Sequence, residues 1–255
     1  MDAIRINRDK CIGCGECAAD CVSRHIVLED GRARVNEGSR CIECGHCYAI
    51  CPVNAVDMPG YDLKGLEGTC PLTEFDPARL LLAMESRRSA RRFTAEPVTT
   101  EELERILEAG RYCPTGSNAQ GVRFIVLREK LAEAEAEAAR VFLSSPLTSA
   151  LLKRGGDEID RHFFFKGAPA AIVTAGHRDV DPALASSYME LLAGSMGLGV
   201  LYSGYFVHAV KQSAKLRELL ELPAGIEPVT TLCIGHSDVK YSRRVPRKPP
   251  KVLWL

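Results

Sequence analysis

The apolar positions in the first sixty residues predict short strands. Residues 25–28 and 33–35 are largely apolar and flank Asp30-Gly31, a dipeptide typical of tight hairpin turns. Residues 54–58 predict a further strand at the end of this region. We therefore expect one hairpin and one terminal strand here.

Helical patterns begin after residue 75. Asp76, which precedes a proline, predicts the N-cap of a first helix. Thr99 and Glu102 have the spacing of a capping box, and the apolar residues at 103, 106 and 107 follow with a helical period. We expect a helix to begin at each of these two places.

The rest of the chain mixes helices and strands. Apolar runs at 123–127, 170–174 and 230–235 predict buried strands. Residues 129–142 predict a helix rich in alanine and glutamate, whose acidic run we interpret as a solvated face rather than a metal site. That run consists of Glu133, Glu135 and Glu137. Residues 182–201 are apolar on most sides and predict a helix buried in a core or a subunit interface. Since strands and helices do not alternate strictly, we predict an α+β fold.

Composition and charge limit the class of protein. The chain has 255 residues, 46% hydrophobic and 26% charged, which is ordinary for a globular protein. Its 33 basic and 33 acidic residues balance, so net charge favours neither nucleic acid nor an anionic membrane as a partner. No apolar run approaches the roughly 18 to 20 residues of a membrane helix, and we expect a cytoplasmic protein. We divide the chain into a domain at 1–60, a linker rich in glycine and proline at 61–75, and a domain at 76–255.

Eight of the eleven cysteines form a duplicated motif. Both copies read Cys-x2-Cys-Gly-x-Cys-x3-Cys, and they are offset by 30 residues. The cysteines are Cys11, Cys14, Cys17 and Cys21 in the first copy and Cys41, Cys44, Cys47 and Cys51 in the second. Thiolates are soft ligands, so this spacing predicts two iron–sulfur clusters. Two zinc sites are the competing interpretation, because Cys-x2-Cys pairs also suit tetrahedral zinc.

With this motif, and with Pro52 after its last cysteine, residues 1–60 resemble the bacterial two-[4Fe-4S] ferredoxins. The resemblance implies a βαββαβ-type domain in which the fourth cysteine of each copy binds the other copy's cluster. One cluster would be held by Cys11, Cys14, Cys17 and Cys51, and the other by Cys41, Cys44, Cys47 and Cys21. Val22 departs from the family's pattern, since a proline is expected there, but this removes no ligand.

Four segments of the second domain resemble the FMN-dependent nitroreductase superfamily. They are residues 87–93 (Arg-Arg-Ser-Ala-Arg-Arg-Phe), 113–120 (Cys-Pro-Thr-Gly-Ser-Asn-Ala-Gln), 197–204 (Gly-Leu-Gly-Val-Leu-Tyr-Ser-Gly) and the basic stretch at 241–248. The first matches the family's Arg-x-Ser-x-Arg-x-Phe opening and the second its Pro-Ser-x-x-Asn-x-Gln loop. The aromatic residue usual after that glutamine is absent here. We therefore identify the chain as similar to ferredoxin-fused nitroreductases.

The resemblance implies an α+β domain that binds FMN, and it indicates the residues involved. They are Arg87, Arg88, Ser89, Arg91, Ser117, Asn118, Gln120, Ser203, Gly204, Arg247 and Lys248. Guanidinium groups suit a phosphate and the electron-rich edge of a flavin, and glycine lets the backbone approach the ring closely. The family also implies a homodimer with FMN at the interface. The segment His162-Phe163-Phe164-Phe165 would be a lid over that pocket or, alternatively, part of a core or interface.

Together these features predict an iron–sulfur flavoprotein oxidoreductase. It would pass electrons between the [4Fe-4S] clusters and FMN and reduce a nitroaromatic, a quinone or a similar organic acceptor by a ping-pong mechanism, with NAD(P)H or reduced ferredoxin as donor. We assign no side chain a catalytic role, because FMN carries the chemistry. Two alternatives remain: a dehydrogenase or dehalogenase acting on a metabolite, and a non-catalytic electron-transfer partner.

Overall fold

The computed structural model describes residues 3–66, 68–144 and 159–255. They form two compact units. The N-terminal unit comprises Met1–Glu74 together with Thr115–Ala119, and the C-terminal unit comprises Phe75–Pro114 and Gln120–Leu255. No helix in these ranges is long and apolar enough to cross a membrane.

The N-terminal unit has the βαββαβ order that the ferredoxin resemblance implies. Its elements are β1 (Arg5–Ile6), α1 (Glu16–Ala19), β2 (Ile26–Glu29), β3 (Arg32–Val35), α2 (His46–Ile50) and β4 (Val56–Asp57). Strands β2 and β3 form the predicted antiparallel hairpin, and β1 pairs with β4. Asp30 and Gly31 both have positive φ, 50° and 71°, as a two-residue hairpin turn of type I′ requires.

The C-terminal unit is built around one antiparallel sheet. Its elements are α3 (Pro77–Ser86), α4 (Thr100–Arg111), β5 (Arg123–Leu127), α5 (Leu131–Ser144), β6 (Ala170–Gly176), α6 (Val180–Ser195), β7 (Gly199–Tyr202), α7 (Gly204–Gln212), α8 (Ala214–Leu219) and β8 (Glu227–Gly235). The strand order is β5-β6-β8-β7. Every residue of β6 is buried. The predicted α+β class is confirmed.

Two apolar clusters hold this sheet to its helices. One contains Phe142 of α5 and Phe206 of α7, and the other contains Ile106 of α4 and Met189 of α6. Since residues of β6 contribute to both clusters, the two faces of the sheet are both covered. The sheet is therefore a buried platform, and its edge strand β7 carries one of the segments expected to bind FMN.

Both predicted helix starts are confirmed. The Asp76 carboxylate accepts hydrogen bonds from the backbone of Ala78 and Arg79, with proline in the first turn of α3. Thr99 and Glu102 form the complete capping box at the start of α4. These local signals were readable from the sequence because a cap depends on side chains only two or three residues away.

The predicted helix 182–201 is wrong at its C-terminal end. Helix α6 stops at Ser195, and Gly197 then takes a positive φ of 83°. The chain reverses there and residues 199–202 join the sheet as β7. An apolar run that continues from a buried helix into a buried strand has no polar boundary, so hydrophobicity alone misses the junction.

The predicted solvated face of α5 is also wrong for two of its three glutamates. Glu133 is exposed, whereas Glu135 and Glu137 are buried. Glu137 lies between Arg140 at 2.5 Å, Lys215 at 3.5 Å and the Ser213 hydroxyl at 3.1 Å.

Protonation of Glu137 should cost stability in acid. The hydrogen bond from Arg140, aided by Ser213 and Lys215, lowers the pKa of Glu137 to about 2. A carboxylate with a folded-state pKa below its unfolded value stabilises the fold above the unfolded value, about 4.3, and loses that contribution as pH falls toward the folded pKa. We expect Glu137→Gln to be less stable than wild type at pH 7. In urea unfolding, the difference should shrink between about pH 5 and pH 2.

Glu133→Gln is the matched control, because Glu133 lies on the same helix and is exposed. Its stability should follow that of wild type at every pH. A gap between wild type and Glu137→Gln that stays constant down to about pH 3 would show that the Glu137 charge contributes nothing.

Candidate functional site

Three thiols of the N-terminal unit surround that of Cys17. This side chain is buried, and burial together with the neighbouring thiols of Cys11, Cys14 and Cys51 raises its pKa. The structure therefore brings together the first three cysteines of one copy and the last cysteine of the other. This is the first of the two cluster sets expected from the ferredoxin resemblance.

The second set lines a small cavity of its own. Cys21, Cys41, Cys44 and Cys47 all border it. Burial raises the pKa of Cys47 to about 11, and the thiols of Cys41 and Cys44 add to the rise. Without a metal, burial among other thiols keeps such a side chain protonated. When iron binds, the thiol loses its proton and the iron compensates the charge of the thiolate. The donor set suits an iron–sulfur cluster.

Backbone N–H groups already point at the sulfurs. His25 N–H donates to Cys21 Sγ and Ala55 N–H to Cys51 Sγ, both at 3.2 Å. Each donor lies four residues after its cysteine, so the sequence duplication is also a structural one. Hydrogen bonds of this kind stabilise a thiolate ligand and tune the metal centre behind it.

Glycine starts both short helices of the motif. Gly15 precedes α1 with φ 83°, and Gly45 precedes α2 with φ 75°. An L side chain rarely adopts this conformation. The glycine therefore lets each loop turn sharply enough for its three cysteines to face one space.

Two predicted FMN contacts are found in the N-terminal unit. Ser117 and Asn118 belong to the segment Thr115–Ala119, which groups with that unit. The side-chain amide of Asn118 donates to the carbonyl oxygens of Ile42 at 3.1 Å and Glu43 at 2.9 Å, between the first two cysteines of the second copy. Gln120 is exposed at the start of the next segment of the C-terminal unit.

In the C-terminal unit, the basic segment 87–91 is paired with β7. Ser89 forms a parallel bridge with Val200, and Ala90 N–H donates to the Val200 carbonyl at 2.9 Å. The approach is close because Gly199 has no side chain: a Cβ there would lie 2.6 Å from the Cβ of Ala90. The sheet edge thus joins two of the segments expected to bind FMN.

Arg87 is held by an acid that the sequence interpretation overlooked. Its guanidinium lies 2.6 Å from the Glu190 carboxylate, which is only 8% exposed. The pKa of Tyr202 is raised by burial and by the negative charge of Glu190, whose carboxylate accepts a hydrogen bond from the Tyr202 hydroxyl. The available signal was a lone charged residue in the apolar middle of α6, because a buried carboxylate needs a partner.

Arg88 has a buried nitrogen that an anionic cofactor could satisfy. Its Nη1 atom is buried, and no group in the described residues accepts a hydrogen bond from it. A buried guanidinium nitrogen without a partner is costly, and a phosphate or flavin oxygen would satisfy it. Ser89 beside it is half-buried, while Arg91 is exposed. The residues present fit an anionic cofactor.

The basic tail approaches the same part of the chain. A cavity of about 830 Å³ is lined by residues 241–247 and by Met84, Glu85 and Ser86, which directly precede Arg87. Arg244 forms an ion pair with Glu85 across it. Arg247 lines this cavity, whereas Lys248 lies outside its lining and is exposed. The expected phosphate ligand Arg247 is therefore close to the basic segment in three dimensions as well.

A second cavity, of about 530 Å³, opens beside Ser203 and Gly204. We call it the aromatic cavity, after its lining by Phe142, Phe163, Phe164, Leu201, Tyr205 and His208, with Lys166 at its edge. The hydroxyl of Ser203 accepts the N–H of Phe206 and so caps α7. Phe163, Phe164 and Phe165 are all buried, which favours the core interpretation of this segment over a lid.

The comparisons with known proteins agree with this arrangement. Residues 84–236 match the model of the nitroreductase family. The chain belongs to the nitroreductase family. Residues 3–52 match a 4Fe-4S dicluster domain. These two matches confirm the resemblances inferred from the sequence and favour iron–sulfur clusters over zinc.

Individual relatives cover the C-terminal part of the chain. The FMN reductase [NAD(P)H] of Bacillus subtilis (strain 168) is 30% identical over 190 residues, which are 68% of this chain and 72% of the relative. The crystal structure of a nitroreductase with bound FMN from Desulfitobacterium hafniense DCB-2 has 26% identity and a TM-score of 0.56, covering 68% of this chain and 97% of that one. A nitroreductase with bound FMN from Bacteroides fragilis NCTC 9343 shares the fold, with 19% identity and a TM-score of 0.60, covering 69% and 98%. The expected cofactors, FMN and [4Fe-4S] clusters, are thus confirmed at the level of the family.

Proposed function

We propose that this protein is an FMN-dependent oxidoreductase that takes electrons from NAD(P)H or reduced ferredoxin and passes them to an organic acceptor, a nitroaromatic or a quinone. Its two [4Fe-4S] clusters would exchange single electrons with FMN, which stores two. A ping-pong sequence follows if donor and acceptor use the same flavin face in turn. We place the reaction in the cytoplasm, where a reducing environment keeps thiols available as cluster ligands.

One observation carries the proposal for the flavin: the buried, unpartnered Nη1 of Arg88 beside the paired segments 87–91 and 199–204. A phosphate or a flavin edge would satisfy this atom. Glu190 already neutralises Arg87, whereas Arg88 keeps a buried nitrogen without a partner among the residues described, and Arg247 lines the neighbouring cavity. The named relative reduces FMN with NAD(P)H, which supports the same cofactor and donor here.

The residues of the site would bind and orient the cofactor rather than react. Gly204 can bring its backbone N–H close to a flavin ring because no side chain intervenes. The guanidinium groups would favour the negative charge that a reduced flavin carries. For a quinone acceptor the balance is complete: NAD(P)H gives two electrons and one proton, and water gives the second proton of the hydroquinone.

An exposed apolar stripe supports a homodimer with FMN at its interface. Leu184, Tyr188 and Leu191 follow the helical period along α6 and remain 38–45% exposed, although the opposite face of the helix is buried. Side chains of this size on one helix face are typical of a subunit contact. The molar mass in solution, measured by light scattering, tests this part of the proposal.

The deciding experiment is anaerobic purification followed by iron, sulfide and flavin analysis, with visible and EPR spectra before and after a donor is added. We expect two clusters and one FMN per chain, and the donor that bleaches FMN fastest identifies the route of entry. Turnover of a quinone or nitroaromatic would then separate an enzyme from a non-catalytic carrier. Zinc in place of iron would overturn the cluster assignment.

A matched pair of variants tests the flavin site itself. Arg88→Met should raise the dissociation constant for FMN at least about tenfold, because a charge-assisted hydrogen bond contributes roughly 1.5 to 3 kcal/mol. Arg92→Met should leave it unchanged, since Arg92 is exposed and lies 3.5 Å from Asp238. Equal FMN affinity in the two variants would argue against this site.

A further inference from the structure

The aromatic cavity has a rigid wall. Glu135 accepts hydrogen bonds from the backbone N–H of Phe164 at 2.9 Å and of Phe165 at 3.2 Å through one carboxylate oxygen. These bonds fix the segment 163–166 against α5. The cavity is therefore largely formed before any ligand arrives, and binding need not order this wall.

The lining suits a flat, electron-poor ring. Phe163 and Tyr205 lie stacked, with ring centroids 5.3 Å apart and planes 25° from parallel. Phe142 meets Phe164 edge-on at 5.1 Å. Aromatic walls favour planar π-systems by offset stacking and edge contacts, and a volume of about 530 Å³ lies in the range of small-molecule sites.

Lys166 adds a positive charge to this mostly apolar space, whose other polar side chains are those of Tyr202, Ser203, Tyr205 and His208. Its ammonium lies 4.7 Å from the ring centroid of Phe163, so the charge is held at the cavity edge by a cation–π contact. In the parts of the chain that the structure describes, Lys166 has no carboxylate within ion-pair distance. An anionic group on a ligand would supply one.

We propose that the aromatic cavity is the acceptor site and that Lys166 selects aromatic acceptors bearing an anionic group, such as nitrobenzoates and sulfonated quinones. Ser203 and Gly204 line this cavity and belong to the segment expected to approach the flavin, so a ligand there would lie next to the ring. In this respect the inference rests on the proposed function. Lys166 would determine specificity, since the ring is recognised by the aromatic walls and the substituent by the ammonium.

Equilibrium binding to the oxidised holoprotein, without any donor, tests the inference by calorimetry. The probes are 4-nitrobenzoate and 4-nitrobenzamide, which have similar shapes and differ in charge. Lys166→Met should raise the dissociation constant for 4-nitrobenzoate about fivefold, as expected for a partly exposed charge pair, and change that for 4-nitrobenzamide less than about twofold. Lys211→Met is the control, because Lys211 lies on α7 but outside the cavity lining.

A second variant tests whether both probes bind in the aromatic cavity. Tyr205 is half-exposed, so Tyr205→Leu should leave the fold intact while weakening both probes by a similar factor. The inference fails if Lys166→Met affects both probes equally or neither, or if neither probe binds saturably. Flavin content and donor oxidation are measured separately from probe binding. If NAD(P)H reduces the protein but the two probes bind with the same affinity whatever their charge, the proposed function stands and this inference is wrong.

Discussion

Gly199→Ala should purify without FMN. A Cβ at this position lies 2.6 Å from the Cβ of Ala90 and 3.4 Å from the carbonyl oxygen of Gly235, and of these two neighbours only Gly235 belongs to a strand of the sheet. Contacts below about 3 Å force atoms apart, and here the yielding part would be the segment 87–91, which is bridged to β7 only through Ser89 and Ala90. We expect flavin content to fall at least about tenfold, because Arg88, which we propose binds the cofactor, would be displaced.

Gly194→Ala is the matched control. Gly194 lies near the end of α6, where an added Cβ meets nothing within 4 Å, so the same methyl group should leave flavin content unchanged. Circular dichroism distinguishes a displaced segment from a failure to fold. Full FMN occupancy in a folded Gly199→Ala protein would show that the pairing of the basic segment with β7 does not position the cofactor.

Much of the N-terminal unit could be predicted because its chemistry is local and repeated. A motif that recurs after 30 residues defines both loops and both glycine turns, and Asp30-Gly31 with its apolar flanks predicts the hairpin between them. Gly15 and Gly45 take the same left-handed conformation because each must start a short helix directly after two cysteines. Caps at Asp76 and Thr99 were readable for the same reason.

The parts of the site that escaped prediction depend on contacts between distant residues. Glu190 meets Arg87 across 103 positions of sequence, and no periodicity links them. From the sequence, Glu135 is one of three acids expected on a solvated face. In the structure it accepts hydrogen bonds from the backbone N–H groups of Phe164 and Phe165. A buried polar group can be recognised only when its hydrogen-bond partners are known. The sequence pattern therefore placed Glu135 on a solvated face and gave Glu190 no role.

The segment Thr115–Ala119 shows a different limit. Its resemblance to a family loop predicts contacts to FMN from Ser117 and Asn118, and these remain predictions. Sequence gave no reason to expect that the Asn118 amide would donate to two carbonyl groups between Cys41 and Cys44. Ser117 and Asn118 both adopt positive φ, near 53°, a conformation that asparagine tolerates better than most residues.

Pairs of cysteine substitutions should show which copy's cluster each thiol serves. Replacing Cys21 by serine should reduce iron from about eight to about four atoms per chain, since one [4Fe-4S] cluster is lost. The double variant Cys21→Ser/Cys41→Ser should lose no more than either single variant, because both thiols border the same cavity. Cys70→Ser, exposed and outside the motif, should keep about eight iron atoms.

The contrasting pair is Cys21→Ser/Cys51→Ser, which removes the fourth cysteine of each copy. Cys51 lies with Cys17 in the first set, so this double variant should lose both clusters and retain almost no iron. If each copy instead bound its own cluster, Cys21 and Cys41 would serve different clusters. The double variant Cys21→Ser/Cys41→Ser would then lose both clusters and retain almost no iron. Iron and sulfide analysis of anaerobically purified protein separates the two outcomes, and only crossed ligation requires the two halves of the N-terminal unit to fold as one.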